Sequence, residues 1–230
     1  MNHRLVRPLV AEFIGTMLFV FVGAGSVVAN AASGNGIGIT GIALAHGVGI
    51  GVLITMMMRI SGGHLNPAVS LGVWLARKID GKTLGSYIAV QLAGAVVGAL
   101  LIKACFPANV ARATSLGTPQ MAAAMGLFTG IAIEALLTFF LVSAVLGTVV
   151  SVDAPSVGGF GVGLAIFTCI LVGSGLTGAA MNPARAFGPA LVAGDWYAQV
   201  VYWIGPLLGA AAAGAVWKLL LLPKDQTELG

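Results

Sequence analysis

"SGGHLNPAVS", Ser61 to Ser70, sets an asparagine and a proline in the middle of a long apolar stretch. "GAAMNPARAFGPA", Gly178 to Ala190, repeats the triplet Asn-Pro-Ala and adds an arginine, Arg185. Asparagine is a good helix cap, and proline at the first helical position has no N–H to leave unpaired. Each triplet therefore starts a helix. The segments that follow, 66–77 and 182–193, are about eleven residues long, roughly 17 Å at 1.5 Å per residue. That is about half of a ~30 Å hydrocarbon core. Both segments read as half-helices that begin at mid-depth and leave by the side they entered.

Composition makes the bilayer the relevant solvent. The 230 residues are 58% hydrophobic and 8% charged. A soluble domain carries about 25% charged residues, so this chain cannot cover itself with a wetted surface. Apolar runs near the ~20 residues needed to span recur at 9–32, 37–59, 83–104, 122–150, 157–178 and 198–222. The expected class is an all-α polytopic membrane protein with one channel-sized domain over 1–230. The first run follows Arg4 and Arg7 and reads as a spanning helix, not a cleaved leader. Cys105 and Cys169 are the only cysteines, and both fall on apolar runs, which argues against a disulfide.

The two halves resemble each other. "AEFIGTMLFVF" from Ala11 matches "IEALLTFFLVS" from Ile133, pairing Glu12 with Glu134 and Thr16 with Thr138. "QLAGAVVGAL" from Gln91 matches "YWIGPLLGAA" from Tyr202, pairing Gly94 with Gly205 and Gly98 with Gly209. Those glycines form small-xxx-small patterns that let helices approach closely. The repeats run over about 5–105 and 120–222. Each holds three spans, and an odd number forces the second repeat to run opposite to the first. With both termini cytoplasmic, the inside receives Arg4, Arg7, Arg59, Arg77, Lys78, Lys82, Lys218 and Lys224. The outside receives Lys103, Arg112 and Arg185, and that bias supports the orientation.

In an inverted repeat the half-helices meet end to end, so Asn66 and Asn182 come together, flanked by Pro67, Ala68, Pro183 and Ala184. Each helix start offers unpaired N–H groups and about half a positive charge. The backbone before each triplet is tolerated at this depth only where it lines a wet cavity. The carbonyls of Gly62, Gly63, His64, Leu65, Gly178, Ala180 and Met181 would then face a pore. Such a site repels cations and orients water, the combination from which aquaporin-type selectivity arises.

Taken together, "AEFIGT", "SGGHLNPAVS", "EALLTFFLV", "MNPARAFGPA" and "YWIGP" resemble the aquaporins, the major intrinsic protein family, over nearly the whole chain. The resemblance implies six spans plus two half-helices, a pore in each subunit, a homotetramer in a cell membrane, and passage of water and small neutral solutes. It also implies a filter built from His46, Ile170, Ala179 and Arg185. That set is similar to the filter of the plant tonoplast intrinsic proteins, which pass water and often ammonia, urea or hydrogen peroxide. A histidine of the third connecting loop often touches the filter arginine in that group. Here that place falls to loop residues near Pro119 and Gln120. Glycerol channels usually carry an aspartate after the arginine and a basic residue four further on, where this chain has Ala186 and Ala190.

Glu12 and Glu134 lie deep in spans. A proton relay is one reading; support of the re-entrant loops is the one the resemblance implies. A secondary transporter shares the inverted repeat, but the neutral asparagines offer no coupling site. Short tails and small filter residues argue against a closed adhesive member. No nucleophile–base pair, phosphate loop, metal-ligand cluster, cofactor motif or nucleic-acid surface is legible, so no enzyme and no cofactor are expected.

Overall fold

The computed structural model describes residues 3–223. The side chain of Arg4, and all of Lys224, lie outside the described residues. The elements in chain order are α1 (His3–Ala32), α2 (Gly38–Ser61), α3 (Pro67–Leu75), α4 (Gly81–Cys105), α5 (Ala108–Ala113), α6 (Leu127–Val145), α7 (Phe160–Gly173), α8 (Pro183–Ala193) and α9 (Gln199–Val216). A tight helical turn at Ser115–Gly117 follows α5, and wider turns at Leu146–Val150 and Trp217–Leu221 extend α6 and α9. Asp80 caps α4, accepting from Thr83 N at 2.6 Å. That bond holds its carboxyl below the usual carboxylate range.

Among the described residues, five helices are long and apolar enough to cross a membrane. The fifth run was expected to span 157–178, but α7 has 14 residues, about 21 Å at 1.5 Å per residue. Its start is delayed by Gly158, which holds a left-handed φ of 56°. Its far end passes into turns in which the Gly173 carbonyl accepts from both Leu176 N and Thr177 N. Between the third and fourth apolar runs the chain folds into α5 and the turn after it.

The repeat is inverted and interlocked. Within each half, α1 lies along α4 and α6 lies along α9. The half-helices are exchanged: α3 packs on α9 and α8 packs on α4. Between halves, α2 lies along α7. Glycine makes each contact close. A Cβ on Gly98 would sit 2.5 Å from the Met17 carbonyl oxygen, and one on Gly214 would sit 2.7 Å from that of Gly72. A Cβ on Gly209 would run into the carbonyl of Ala135. Backbone oxygen cannot move aside as a side chain can, so the helices would have to part. Gly209→Ala is therefore expected to cost about 2 kcal/mol and to lower the thermal midpoint in detergent. Gly85→Ala, whose added carbon meets nothing within 4 Å, should leave it in place. Equal midpoints would show that α6 and α9 are free to separate.

Candidate functional site: a pore joint and its filter

Both re-entrant loops follow one backbone recipe. Four and three residues before Asn66, φ is 92° at Gly62 and 64° at Gly63, and one before it Leu65 holds 51°. Before Asn182 the same places are Gly178 at 80°, Ala179 at 48° and Met181 at 50°. Leu65, Ala179 and Met181 are side-chain-bearing residues in the left-handed region, at about 1–2 kcal/mol each. A carboxylate offsets that cost in each loop. Glu12 Oε1 accepts from Ser61 Oγ at 2.6 Å and His64 N at 2.9 Å, and Oε2 accepts from Leu65 N at 2.7 Å. Glu134 Oε1 accepts from Thr177 Oγ1 at 2.6 Å and Ala180 N at 2.9 Å, and Oε2 accepts from Met181 N at 2.7 Å. Both glutamates are fully buried.

The loops' outer ends are pinned too. Tyr87 donates to the Ser61 carbonyl and Tyr202 to that of Thr177, each at 2.8 Å. Ser61 and Thr177 both stand five residues before an asparagine, so this pair of hydroxyls was legible as part of the repeat and was missed. Gln91, also missed, bridges Glu12 and Ser70.

The two asparagines are cross-bonded. Asn66 Nδ2 donates to the Met181 carbonyl and Asn182 Nδ2 to the Leu65 carbonyl, each at 3.0 Å. Each Oδ1 caps its own half-helix: Asn66 accepts from Ala68 N, and Asn182 from Ala184 N and Arg185 N. An amide nitrogen carries two N–H groups; the cross-bond uses one and leaves one over. The carbonyls of Leu65 and Met181 thus each accept one bond at the joint. Among the described residues, nothing donates to the carbonyls of Gly62, Gly63, His64, Gly178, Ala179 or Ala180. Asn66, Asn182 and His64 are the polar walls of a cavity of about 10 Å³ otherwise lined by Ile50, Ile54, Val145 and like side chains. That is about one water molecule's worth of room.

On the other side of the joint a cavity of about 500 Å³ opens, lined by His46, Ile170, Gly178 and Arg185 among others. Ala179 is not among its lining residues; its methyl lies against Gly173 of α7. Arg185 is buried, and its Nη1 donates to the Gly117 carbonyl at 2.7 Å. His46 Nδ1 lies 2.9 Å from the Ile42 carbonyl, and His46 Nε2 lies 3.3 Å from Arg185 Nη2. A carbonyl can only accept and a guanidinium can only donate. The histidine therefore carries its proton on Nδ1 and accepts from the arginine with Nε2.

The expected loop partners of Arg185 do something else. Pro119 and Gln120 pack against Gly178, and Gln120 donates to Asp195 at 2.9 Å. The arginine's partner is a backbone oxygen, and a backbone carbonyl leaves no mark in a sequence. Cys169 donates to the Leu137 carbonyl across to α6.

Residues 1–217 match the Major intrinsic protein family. The chain is 42% identical to aquaporin TIP4-4 of Zea mays, over 97% of this chain and 93% of that one. It is 38% identical to aquaporin-8 of Rattus norvegicus, over 95% of this chain and 83% of that one. In three dimensions it is similar to the aquaglyceroporin of Plasmodium falciparum, with a TM-score of 0.84 over 98% of this chain and 99% of that one. Sequence identity there is 24%, so that likeness is one of fold.

Proposed function

The chain belongs to the major intrinsic protein family, and from that premise we propose that it is a passive channel for water and small neutral solutes. Ammonia stands first among those solutes, then urea and hydrogen peroxide; ions and protons are excluded. The observation that carries this reading is the pair of crossed asparagines. The leftover N–H of each amide faces a passing water and takes its oxygen. The water's hydrogens then turn outward, toward the unpaired carbonyls of the two loops. A proton wire needs each water to donate to the next in one direction. At this joint the direction reverses, and the wire is cut. The N-termini of α3 and α8 add about half a positive charge each, which opposes cations.

The filter sets the solute range. Arg185 contributes a fixed positive charge and its remaining N–H donors. With Nε2 of His46 already taken by Arg185, the histidine shapes and steadies the filter more than it solvates the solute. Ile170 gives an apolar wall. Support for a channel over an ion-coupled carrier comes from Glu12 and Glu134: every carboxylate oxygen is engaged by loop or helix donors, so neither is poised to take up an ion. The domain runs over 1–230 with repeats at about 5–105 and 120–222. The orientation is both termini cytoplasmic, in a homotetramer.

Stopped-flow light scattering on proteoliposomes tests the reading. Water, ammonia and urea should all permeate, and glycerol should lag. The double variant His46→Phe, Ile170→His should lower ammonia and urea flux roughly tenfold while water flux persists, the scale a few contacts in a pocket command. An unchanged solute profile would remove these residues from the filter. Saturable, ion-coupled flux would replace the channel by a carrier.

A further inference from the structure

A second cavity of about 410 Å³ lies outside the pore, lined by Lys103, Ala108, Ala111, Arg112, Ser115, Leu116, Val192 and Ala193. Lys103 sits in the last turn of α4, a helix long enough to span. Arg112 sits in the last turn of α5. Both cations are exposed, and neither has a hydrogen bond or ion pair among the described residues. Below them the floor is alanine, leucine and valine. On α4, Leu100 lies one turn deeper than Lys103 on the same face and is 48% exposed. Val96 continues that line, half-buried. The cavity is thus cationic at the end of a spanning helix, and Leu100 and Val96 continue from it along α4 as an apolar line outside the cavity's own lining.

We propose that this cavity binds an anionic phospholipid, with the headgroup phosphate between Lys103 and Arg112 and an acyl chain along Leu100 and Val96. The argument for lipid over free phosphate is the continuity of the apolar track with the cationic rim. A basic rim beside an apolar track gives an acidic lipid both a counter-charge and a bed for its chain; in the orientation read from the charges, that lipid belongs to the outer leaflet. A phosphate alone would use the rim and leave the track bare.

The site also shares a wall with the pore. Ser115 lines both this cavity and the one at the filter. Its side chain stands by the Asp195 carboxylate and, first among that group's neighbours, holds it below the usual carboxylate range. Ser115, Leu116 and Gly117 form a turn in which all three φ values are positive, 46°, 55° and 75°. The Gly117 carbonyl is the one that receives Arg185. A lipid seated behind this turn therefore presses on the anchor of the filter arginine.

Native mass spectrometry of the purified full chain tests the site. The probes are phosphatidylglycerol, phosphatidylcholine and inorganic phosphate. Phosphatidylglycerol adducts should survive where phosphatidylcholine adducts are stripped. Lys103→Gln with Arg112→Gln should cut phosphatidylglycerol occupancy about tenfold, while the thermal midpoint in lipid-free detergent stays put. Equal retention of the two lipids, or undiminished binding to the double variant, overturns the proposal. Saturation by inorganic phosphate in competition with the lipid overturns the lipid assignment. In proteoliposomes, phosphatidylglycerol should change water permeability of the native chain and not of the double variant. The same response in both would remove the link to the pore.

Discussion

Glu134→Gln is expected to cut recovery of folded protein severely, although it changes one oxygen to nitrogen. The native carboxylate offers two acceptor oxygens to three donors: Thr177 Oγ1 and Ala180 N on one, Met181 N on the other. Glutamine supplies one oxygen and one NH2 group. With the oxygen toward Thr177 and Ala180, the NH2 faces the Met181 N–H, donor against donor. Turned the other way, it faces Ala180. Either orientation orphans a buried N–H, at about 1–3 kcal/mol, and loses bonds to a charged group, at about 1.5–3 kcal/mol. The sum, roughly 4 kcal/mol, is a large share of the 5–15 kcal/mol that holds a domain folded. The strained residues Ala179 and Met181 would relax as soon as the hold weakens.

Glu12→Gln should be milder, for a reason particular to its repeat. Gln91 donates to Glu12 Oε2, and its own Oε1 is buried with no partner. Flipping the Gln91 amide offers that oxygen to a new NH2 at position 12. No such neighbour bonds Glu134 Oε2. Yield of monodisperse protein on size exclusion, with thermal midpoint, should rank native above Glu12→Gln above Glu134→Gln. A Glu134→Gln protein as stable as the native one would mean that the loop does not depend on the carboxylate.

The architecture was legible because membrane insertion allows few ways to break a helix. A cap-and-proline start inside an apolar run nearly dictates a half-helix, and α3 and α8 begin at Pro67 and Pro183. The glycine pairs that seat α4 on α1 and α9 on α6 could be read because close approach needs the absence of a side chain. Legibility failed where backbone makes the contact. The length of α7 was overestimated, since its far end closes on the Gly173 carbonyl, a backbone contact with no side-chain signature. The anchor of Arg185 on Gly117 was invisible for the same reason. Ala179 enters the filter by resemblance alone, since its residue type carries no sign of that place; its methyl lies against α7.

Asn66→Asp should convert the barrier to cations into a leak. The N-termini of α3 and α8 bring about +0.5 charge each to the joint, and one ionised carboxylate cancels the sum. At an effective dielectric of about 20, a unit charge 4 Å away is worth about 4 kcal/mol, which is roughly a thousandfold in rate. The same change deletes the donor that Asn66 Nδ2 gives to the Met181 carbonyl and sets oxygen against oxygen across 3.0 Å, so water flux should fall as the leak rises. Collapse of an imposed pH gradient in proteoliposomes, under a potassium diffusion potential, reads the leak directly. Arg185→Val is the informative companion. The Arg185 side chain lines a cavity of about 500 Å³, with room for many waters to screen a passing ion, whereas the joint has about 10 Å³ and room for about one. Asn66→Asp should therefore leak faster than Arg185→Val. The reverse order would move the main barrier from the paired helix ends to the guanidinium, and with it the place where selection against protons occurs.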